Sequence, residues 1–341
     1  MAGRPAQLAG EIEADVVVLG GGLAGLAAAV AVARPNRKVV VVEGASIGAG
    51  PSGADLGHVS TGLGLPYLRA AERFGRERAR ALWEWHRESH RELVALLEQT
   101  GDDCGYRSQG GFLLAHDRAE ALDLADSEDA LRDDGFPGEF LDHYMLESRF
   151  QVRGFSGAYW AADDGELDAM ALLHRLAAHA EAQGAWIFEG SRVEELSVAP
   201  GSVVARTARG RVRASFGVIA LGAAAGELLP DLAPRLFSCG ARRLAFDLES
   251  VASVPSPGRT VAGTLGWRAE RDLRAAAFGE PETDSDAGFE ALARAVVERM
   301  PARPQARGRW SGLIHTGPDG LPLVGGCAGS SLFAILGLGT L

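Results

Sequence analysis

The chain has 341 residues, 47% of them hydrophobic, with 34 basic against 45 acidic side chains and a formal net charge of −11. That length exceeds what one core commonly serves, so two domains are expected, and an acidic balance without a Lys/Arg run excludes nucleic acid as a partner. Three dispersed cysteines, Cys104, Cys239 and Cys327, make neither a disulfide framework nor a cysteine metal cluster. Residues 1–13 lack the apolar stretch of a secretory signal, and a cytoplasmic location is expected.

The first elements lie between Asp15 and Glu43. Asp15 to Leu19 reads as a strand, Gly20-Gly21-Gly22 as a tight turn, the Ala-rich run from Leu23 as a helix, and Lys38 to Val42 as a second strand ending at an acid. Gly20, Gly22 and Gly25 have the G-x-G-x-x-G spacing, and Glu43 follows the last of them by 18 residues. In such a unit the first glycine turns the chain out of the strand and the second admits a pyrophosphate to bare backbone. The third lets the helix pack closely, and the acid accepts ribose hydroxyls. Unpaired N–H groups and the dipole at the helix start favour the phosphates. The glycine spacing alone is a weak signal; in its full strand, helix, strand and acid context it reads as a dinucleotide site rather than a structural turn. Residues 16–33 carry no charge, but a stretch of 18 residues with four glycines is a poor membrane span.

A Gly/Ser-rich loop, Gly48 to Gly53, closes this unit. From Pro66 to about Thr100, Leu82, Trp83, His86, His90, Leu93 and Leu97 recur on one face, which predicts a long helix or a helix pair. Strands are predicted around the Gly110-Gly111 turn between Tyr106 and His116, and a helix over 118–132. His86 and His90 stand four apart without an apparent third metal ligand, sharing their face with Trp83 and Leu93. After Tyr159-Trp160, the acids Asp163, Asp164, Glu166 and Asp168 lack the spacing of a calcium loop and read as a turn. A helix over 170–183 and strands at 185–189, 193–198, 203–207, 211–215 and 217–221 follow, the last closed by Gly222. Residues 235–305 mix strand and helix signals around a Pro/Ser linker at 254–257. Trp83, Trp85, Trp160 and Trp186 read as packing residues.

This order of motifs resembles the FAD-dependent D-amino acid oxidase, glycine oxidase and sarcosine oxidase superfamily. The residues that carry the resemblance are the glycine turn, Glu43, Gly48-x-Gly50-x-Ser52-Gly53, Gly157-x-Tyr159 through Asp164-Gly165-x-Leu167-Asp168, Trp310-Ser311-Gly312-Leu313, and Pro318-Asp319-Gly320-Leu321-Pro322-Leu323-Val324-Gly325. It spans nearly the whole chain. It implies an α/β fold with a Rossmann-like FAD-binding domain and a discontinuous α+β substrate (cap) domain. The FAD-binding domain would take 13–65, 150–235 and 306–341, and the cap 66–149 and 236–305.

By the same resemblance the dinucleotide is FAD rather than NAD. Gly20, Gly22, Leu23, Ala24 and Gly25 would receive its pyrophosphate, Glu43 and Gly44 its ribose, and Ser52 and Gly53 would wrap the phosphates and ribityl chain. Val193 would meet the adenine edge, while Gly222 and Gly337 would line the cofactor's path. His58 would sit near the flavin ring, against an ordinary loop histidine as the other reading. Trp310, Ile314 and His315 complete the pocket candidates. The implied reaction is oxidation of a C–N bond in an amine or amino acid by hydride transfer to flavin N5, with oxygen or an electron carrier as acceptor. No metal is implied.

Four departures from the family pattern bear on this expectation. Ala54-Asp55 stands where relatives often have Arg-Asn. Ile314 occupies the place of an arginine that holds substrate carboxylate in many glycine oxidases, which shifts the expectation towards amines or N-substituted amines. No cysteine adjoins Trp310, so a non-covalent flavin is expected there. The sequence ends at Leu341, where relatives continue under the flavin and into a further helix. From that ending, either the chain is a truncated product or something else completes the site, and the alternative to an enzyme is a truncated, catalytically impaired flavoprotein-like remnant with a binding role or none.

Overall fold

A computed structural model of the chain describes residues 7–247, 256–263, 265–269, 273–279, 286–299 and 305–339. Half of the predicted linker at 254–257, much of the stretch 280–305 and the last two residues lie outside them. The chain divides into two compact units, one of Met1–Asp55, Ala169–Cys239 and Leu313–Thr340, the other of Leu56–Asp168 and Gly240–Gly312. These boundaries differ from the expected ones at all four junctions, most of all at 56–65, which carries His58, and at 150–168, both of which join the second unit. Residues 150–168 join the second unit because their strand Gly157–Ala161 lies between Gly111–Ala115 and Gly138–Asp142, and Gly165–Glu166 pairs with His58–Val59 and Arg107–Ser108.

The first unit is built on the strand Gly10–Leu19, which begins earlier than the Asp15 start read from sequence. On one side it runs parallel to Val39–Val42, with Trp186–Phe188 beyond. On the other it runs parallel to Gly210–Ile219, in register from Gly10↔Gly210 to Leu19↔Ile219. All four valines of Val39–Val42 are buried, as expected for a parallel strand covered on both faces. The two strands predicted over 211–221 are therefore one. Gly217 does not break it, because a Cβ there would come 2.8 Å from the Val203 side chain and 2.9 Å from that of Leu332. The glycine serves close packing between strands instead. Residues 217–219 also pair in parallel with Leu332–Leu336, which carries Leu323–Gly326 as an antiparallel partner. Ser202–Thr207 and Val193–Ala199 complete the sheet. Helices Leu23–Val32 and Ala169–Ala182 belong to this unit.

The second unit holds most of an eight-stranded sheet whose middle and far strands are Leu273–Gly279, Leu265–Ala269, Gly258–Thr260, Gly111–Ala115, Gly157–Ala161 and Gly138–Asp142. The predicted helix of 66–100 is a pair, Tyr67–Phe74 and Arg76–Thr100, broken at Gly75, whose φ of +84° suits glycine. Helix Arg118–Asp133 starts at Asp117, whose carboxylate accepts the Glu120 N–H, and His143–Phe150 starts at Asp142 in the same way with Met145. Two cores result. One surrounds the fully buried Trp267 with Phe246, Leu114 and Leu141; the other gathers Tyr67, Trp83, Leu124 and Tyr159.

Trp83 thus packs as expected, but Trp85 and Trp186 are 49% and 47% exposed. Trp85 follows Trp83 by two positions and so leaves the buried helix face. Trp186 lies under the Lys38 ammonium, 4.6 Å from its ring centroid, in a cation–π contact. Among the described residues, no helix is long and apolar enough to cross a membrane, and no group of three acidic, His or Cys side chains could hold a metal.

Candidate functional site

The glycine turn of the first unit is fixed by backbone. Gly20 has φ +109° and donates its N–H to the Val42 carbonyl at 2.9 Å. A Cβ on Gly20 would lie 3.0 Å from the Ala220 carbonyl carbon and closer still to its oxygen, and one on Gly25 would overlap the Gly20 carbonyl. Turn, helix and neighbouring strand therefore meet through glycine contacts that no other residue permits. Gly22 caps the helix without a side-chain bond, and no acid occupies the first turn. That leaves the positive end of the helix dipole without a fixed counter-charge.

Two side chains border this helix start. The Ser52 hydroxyl accepts the Leu23 N–H at 3.1 Å and stands 3.0 Å from where a Gly22 Cβ would be. The Glu43 carboxylate accepts the Gly21 N–H at 2.7 Å through Oε2 and the Ala45 N–H at 2.8 Å through Oε1. Each oxygen keeps a further lone pair for a ribose hydroxyl. The bare turn, a helix start with no acid in its first turn and the anchored acid would together suit the diphosphate and ribose of FAD. Glu43→Ala should weaken FAD retention by about 1–3 kcal/mol, the worth of a hydrogen bond to a charged group. Titrating the apoprotein with FAD checks it, and undiminished retention would remove Glu43 from the site.

The remaining cofactor candidates of this unit are distributed around that centre. Gly44 lies on an exposed loop held to the next strand connection, where Ser191 donates to the Glu43 carbonyl and Gly190 to that of Ala45. Gly53 closes on Gly48 and Met170. Val193 opens its strand, half-buried, at a register irregularity. Gly222, with φ +56°, has open space where a side chain would stand. Ala24 lies in the first helical turn, and buried Gly337 packs against Gly317 at φ +69°.

Trp310, Ile314 and His315 share the strand Gln305–Thr316, where alternation puts Trp310 and Ile314 on one face and His315 on the other. Ile314 is buried. His315 shares a 2.9 Å hydrogen bond between Nε2 and the Ser238 hydroxyl, and burial lowers its pKa. A guanidinium clamp is absent at this place, as the sequence indicates.

His58 belongs to the second unit. Its Nε2–H donates to the Trp267 carbonyl at 2.8 Å, which fixes the tautomer and leaves only Nδ1 for another partner. Burial, aided by the Arg259 and Arg268 cations and opposed by that carbonyl, pushes its pKa down to about 4. The ring is neutral near pH 7. His86 bonds through Nδ1 to the Ser60 carbonyl, and His90 through Nε2 to the Tyr106 hydroxyl, so the two face separate partners.

The acids after Trp160 are more than a turn. Glu166 is fully buried, ion-paired with Arg107 and bonded by the Ser256 hydroxyl. Burial raises its pKa against the pull of Ser256, Arg107 and Arg268. Asp164 accepts the Thr61 N–H at 2.7 Å. Arg107, Ser256 and Arg259 carry no local signal that could have linked them to these acids, because the partners lie up to about a hundred residues away in sequence.

The family profile described as DAO, FAD dependent oxidoreductase, matches residues 15–341. Gamma-glutamylputrescine oxidoreductase of Escherichia coli (strain K12) is 28% identical over 243 residues, covering 70% of this chain and 57% of its own. Glycine oxidase of Geobacillus kaustophilus (strain HTA426) is 29% identical over 221 residues, covering 63% and 56%. The chain thus spans little more than half the length of these curated relatives. The crystal structure of glycine oxidase from Geobacillus kaustophilus superposes with a TM-score of 0.78 at 24% identity, over 96% of this chain and 90% of that one. This last likeness is one of fold.

Proposed function

The chain belongs to the DAO family of FAD-dependent oxidoreductases, and from that premise we propose that it oxidises the C–N bond of an amine or amino acid. Bound FAD would supply the acceptor for a hydride from the carbon beside the nitrogen, and water would hydrolyse the resulting imine to a carbonyl compound and a free amine. The observation that carries this reading is the extent of the family match, residues 15–341, which includes the nucleotide turn and the second unit alike.

FAD supplies the two-electron acceptor; the chain supplies its binding and orientation. The helix start at Gly22, which has no acid in its first turn, would hold the diphosphate and Glu43 the ribose. An amine that arrives neutral needs no protein base, which agrees with a His58 ring that is uncharged and tied to a backbone carbonyl. At the carboxylate-clamp position stands buried Ile314, an apolar side chain that cannot pair with a carboxylate. This favours amines or N-substituted amines over α-amino acids anchored there. The names of the relatives straddle that divide, one acting on gamma-glutamylputrescine and another on glycine.

Anaerobic bleaching of the flavin tests the proposal with glycine, sarcosine, D-alanine, putrescine and gamma-glutamylputrescine. Bleaching by amines without an α-carboxylate, and weak response to glycine, is expected. A yellow protein that none of the five bleaches would overturn the reading. Return of colour in air with peroxide release identifies an oxidase, and return only with a quinone or dye a dehydrogenase.

A further inference from the structure

Within the second unit, a cavity of about 40 Å³ lies among the helices Tyr67–Phe74 and Arg118–Asp133 and the strands Gly111–Ala115 and Gly157–Ala161. Aromatic and aliphatic side chains make most of its wall, Tyr67, Trp83 and Tyr159 among them, while Thr61, Asp164 and Arg259 put polar groups on it. An apolar cavity would stay dry, but polar groups that lack partners call for an occupant.

Two of these groups lack adequate partners among the described residues. The Arg259 guanidinium makes no ion pair; one nitrogen reaches the Thr61 and Gly62 carbonyls, both at 3.4 Å. The buried Thr61 hydroxyl has no hydrogen bond of acceptable geometry, although it lies close enough to Asp164 to influence that carboxyl. A guanidinium loses much hydration on burial and is costly unless its charge and its donors are both met; Arg259 feels the Asp164 charge, but no ion pair closes between the two among the described residues. By size, a water needs about 10–15 Å³ of such space, so the cavity suits one halide-sized ion or a few waters and excludes an amino acid.

We propose that this cavity is a binding site for a small monovalent inorganic anion of halide size, held by the Arg259 guanidinium and the Thr61 hydroxyl and admitted together with a proton on Asp164. While Asp164 is ionised, its charge balances that of Arg259 and repels an incoming anion. Once protonated, it leaves one positive charge facing the cavity and can itself donate. Burial pushes the Asp164 carboxyl up to about 6, against the opposing effects of Arg259 and of the Thr61 N–H and nearby hydroxyl. The other groups that face this pair are Asp163, which also lines the cavity, Tyr106 and Tyr159, and on the Arg259 side His58 and His86. Both histidines have lowered pKa values through burial, so neither contributes positive charge at neutral pH.

Thermal melting of the FAD-loaded protein reads this site without any substrate. Sodium chloride or bromide, compared with sodium gluconate at equal ionic strength, should raise the melting temperature at about pH 5.5 and do so only at much higher concentration at about pH 8. The halide midpoints should differ by at least about tenfold, following the fraction of Asp164 that is protonated. Asp164→Asn should abolish this pH dependence while keeping halide binding, and Arg259→Gln should abolish the binding. A bromide-soaked crystal at the lower pH should show an anomalous peak beside Arg259. Equal melting in halide and gluconate at the lower pH, an unchanged halide effect in Arg259→Gln, or water alone in the cavity each overturns the proposal.

Discussion

Gly25→Ala should yield a protein that retains no FAD and melts far below the wild type, while Gly50→Ala should match the wild type in both. At Gly25 an added Cβ overlaps the Gly20 carbonyl oxygen, sits 3.0 Å from its carbonyl carbon and 3.4 Å from Val18 Cγ1. The overlapped atoms are backbone and cannot rotate away. Gly20 is itself held by its N–H bond to Val42 and by the Ala220 carbonyl beneath it. Relief requires the helix to shift away from the strand, at a cost of about 3 kcal/mol or more for a rigid overpacked site. The same shift displaces the N–H groups that would receive the diphosphate. Gly50 has φ −87° and open space around its Cβ position, so alanine should be tolerated there within about 0.5 kcal/mol. The flavin-to-protein absorbance ratio and the melting curve check both variants. A yellow Gly25→Ala protein of normal stability would refute this packing argument.

The second large effect is on the acid limb of stability. His58 has an ordinary pKa of 6.5 and is pushed down to about 4 in the fold. Between these values the unfolded chain binds more protons than the native state, so stability rises with pH through this window and is fully present above 6.5. On acidification His58 alone costs about 3 kcal/mol. Asp164 works in the opposite sense. Its carboxyl is raised from 3.8 to about 6, so the native state binds the extra proton, and stability falls as pH rises through that window. In the wild type the two opposing slopes overlap and largely cancel. His58→Gln, which keeps an N–H for the Trp267 carbonyl, should therefore gain stability relative to wild type as pH falls from 6.5 to 4. The difference should approach about 3 kcal/mol. Urea unfolding across that range measures it, since a constant loss of ring packing shifts every pH equally. A difference independent of pH would mean that His58 takes up its proton in the folded chain.

What the sequence disclosed depended on distance along the chain. Gly20, Gly22, Gly25 and Glu43 are legible because the demands on them are local, a turn, a close helix and a strand end within some two dozen residues. The pair of helices before Thr100 is likewise written in its own periodicity. Gly217 misled, because a glycine that serves packing against Val203 and Leu332 has the same spelling as one that breaks a strand. Trp85 and Trp186 misled because aromatic size signals burial only on the inward face. Arg259 and Asp164 carry no mutual signal at all; strand pairing in the second unit brings them to one cavity. Glu166 stands among acids whose spacing reads as a turn, and its burial against Arg107 and Ser256 follows from the same long-range pairing.

The contact between Gly20 and the carbonyl of Ala220 has a consequence for biosynthesis. The amino-terminal segment that bears the nucleotide fingerprint cannot finish its own cradle, since the floor of the turn and ten residues of flanking strand are made some two hundred residues later. A nascent chain released from the ribosome tunnel only as far as the first helix would lack that floor. A flavin held at this turn would have to wait for the strand Gly210–Ile219 to emerge and dock, a long-range closure that is slow by nature.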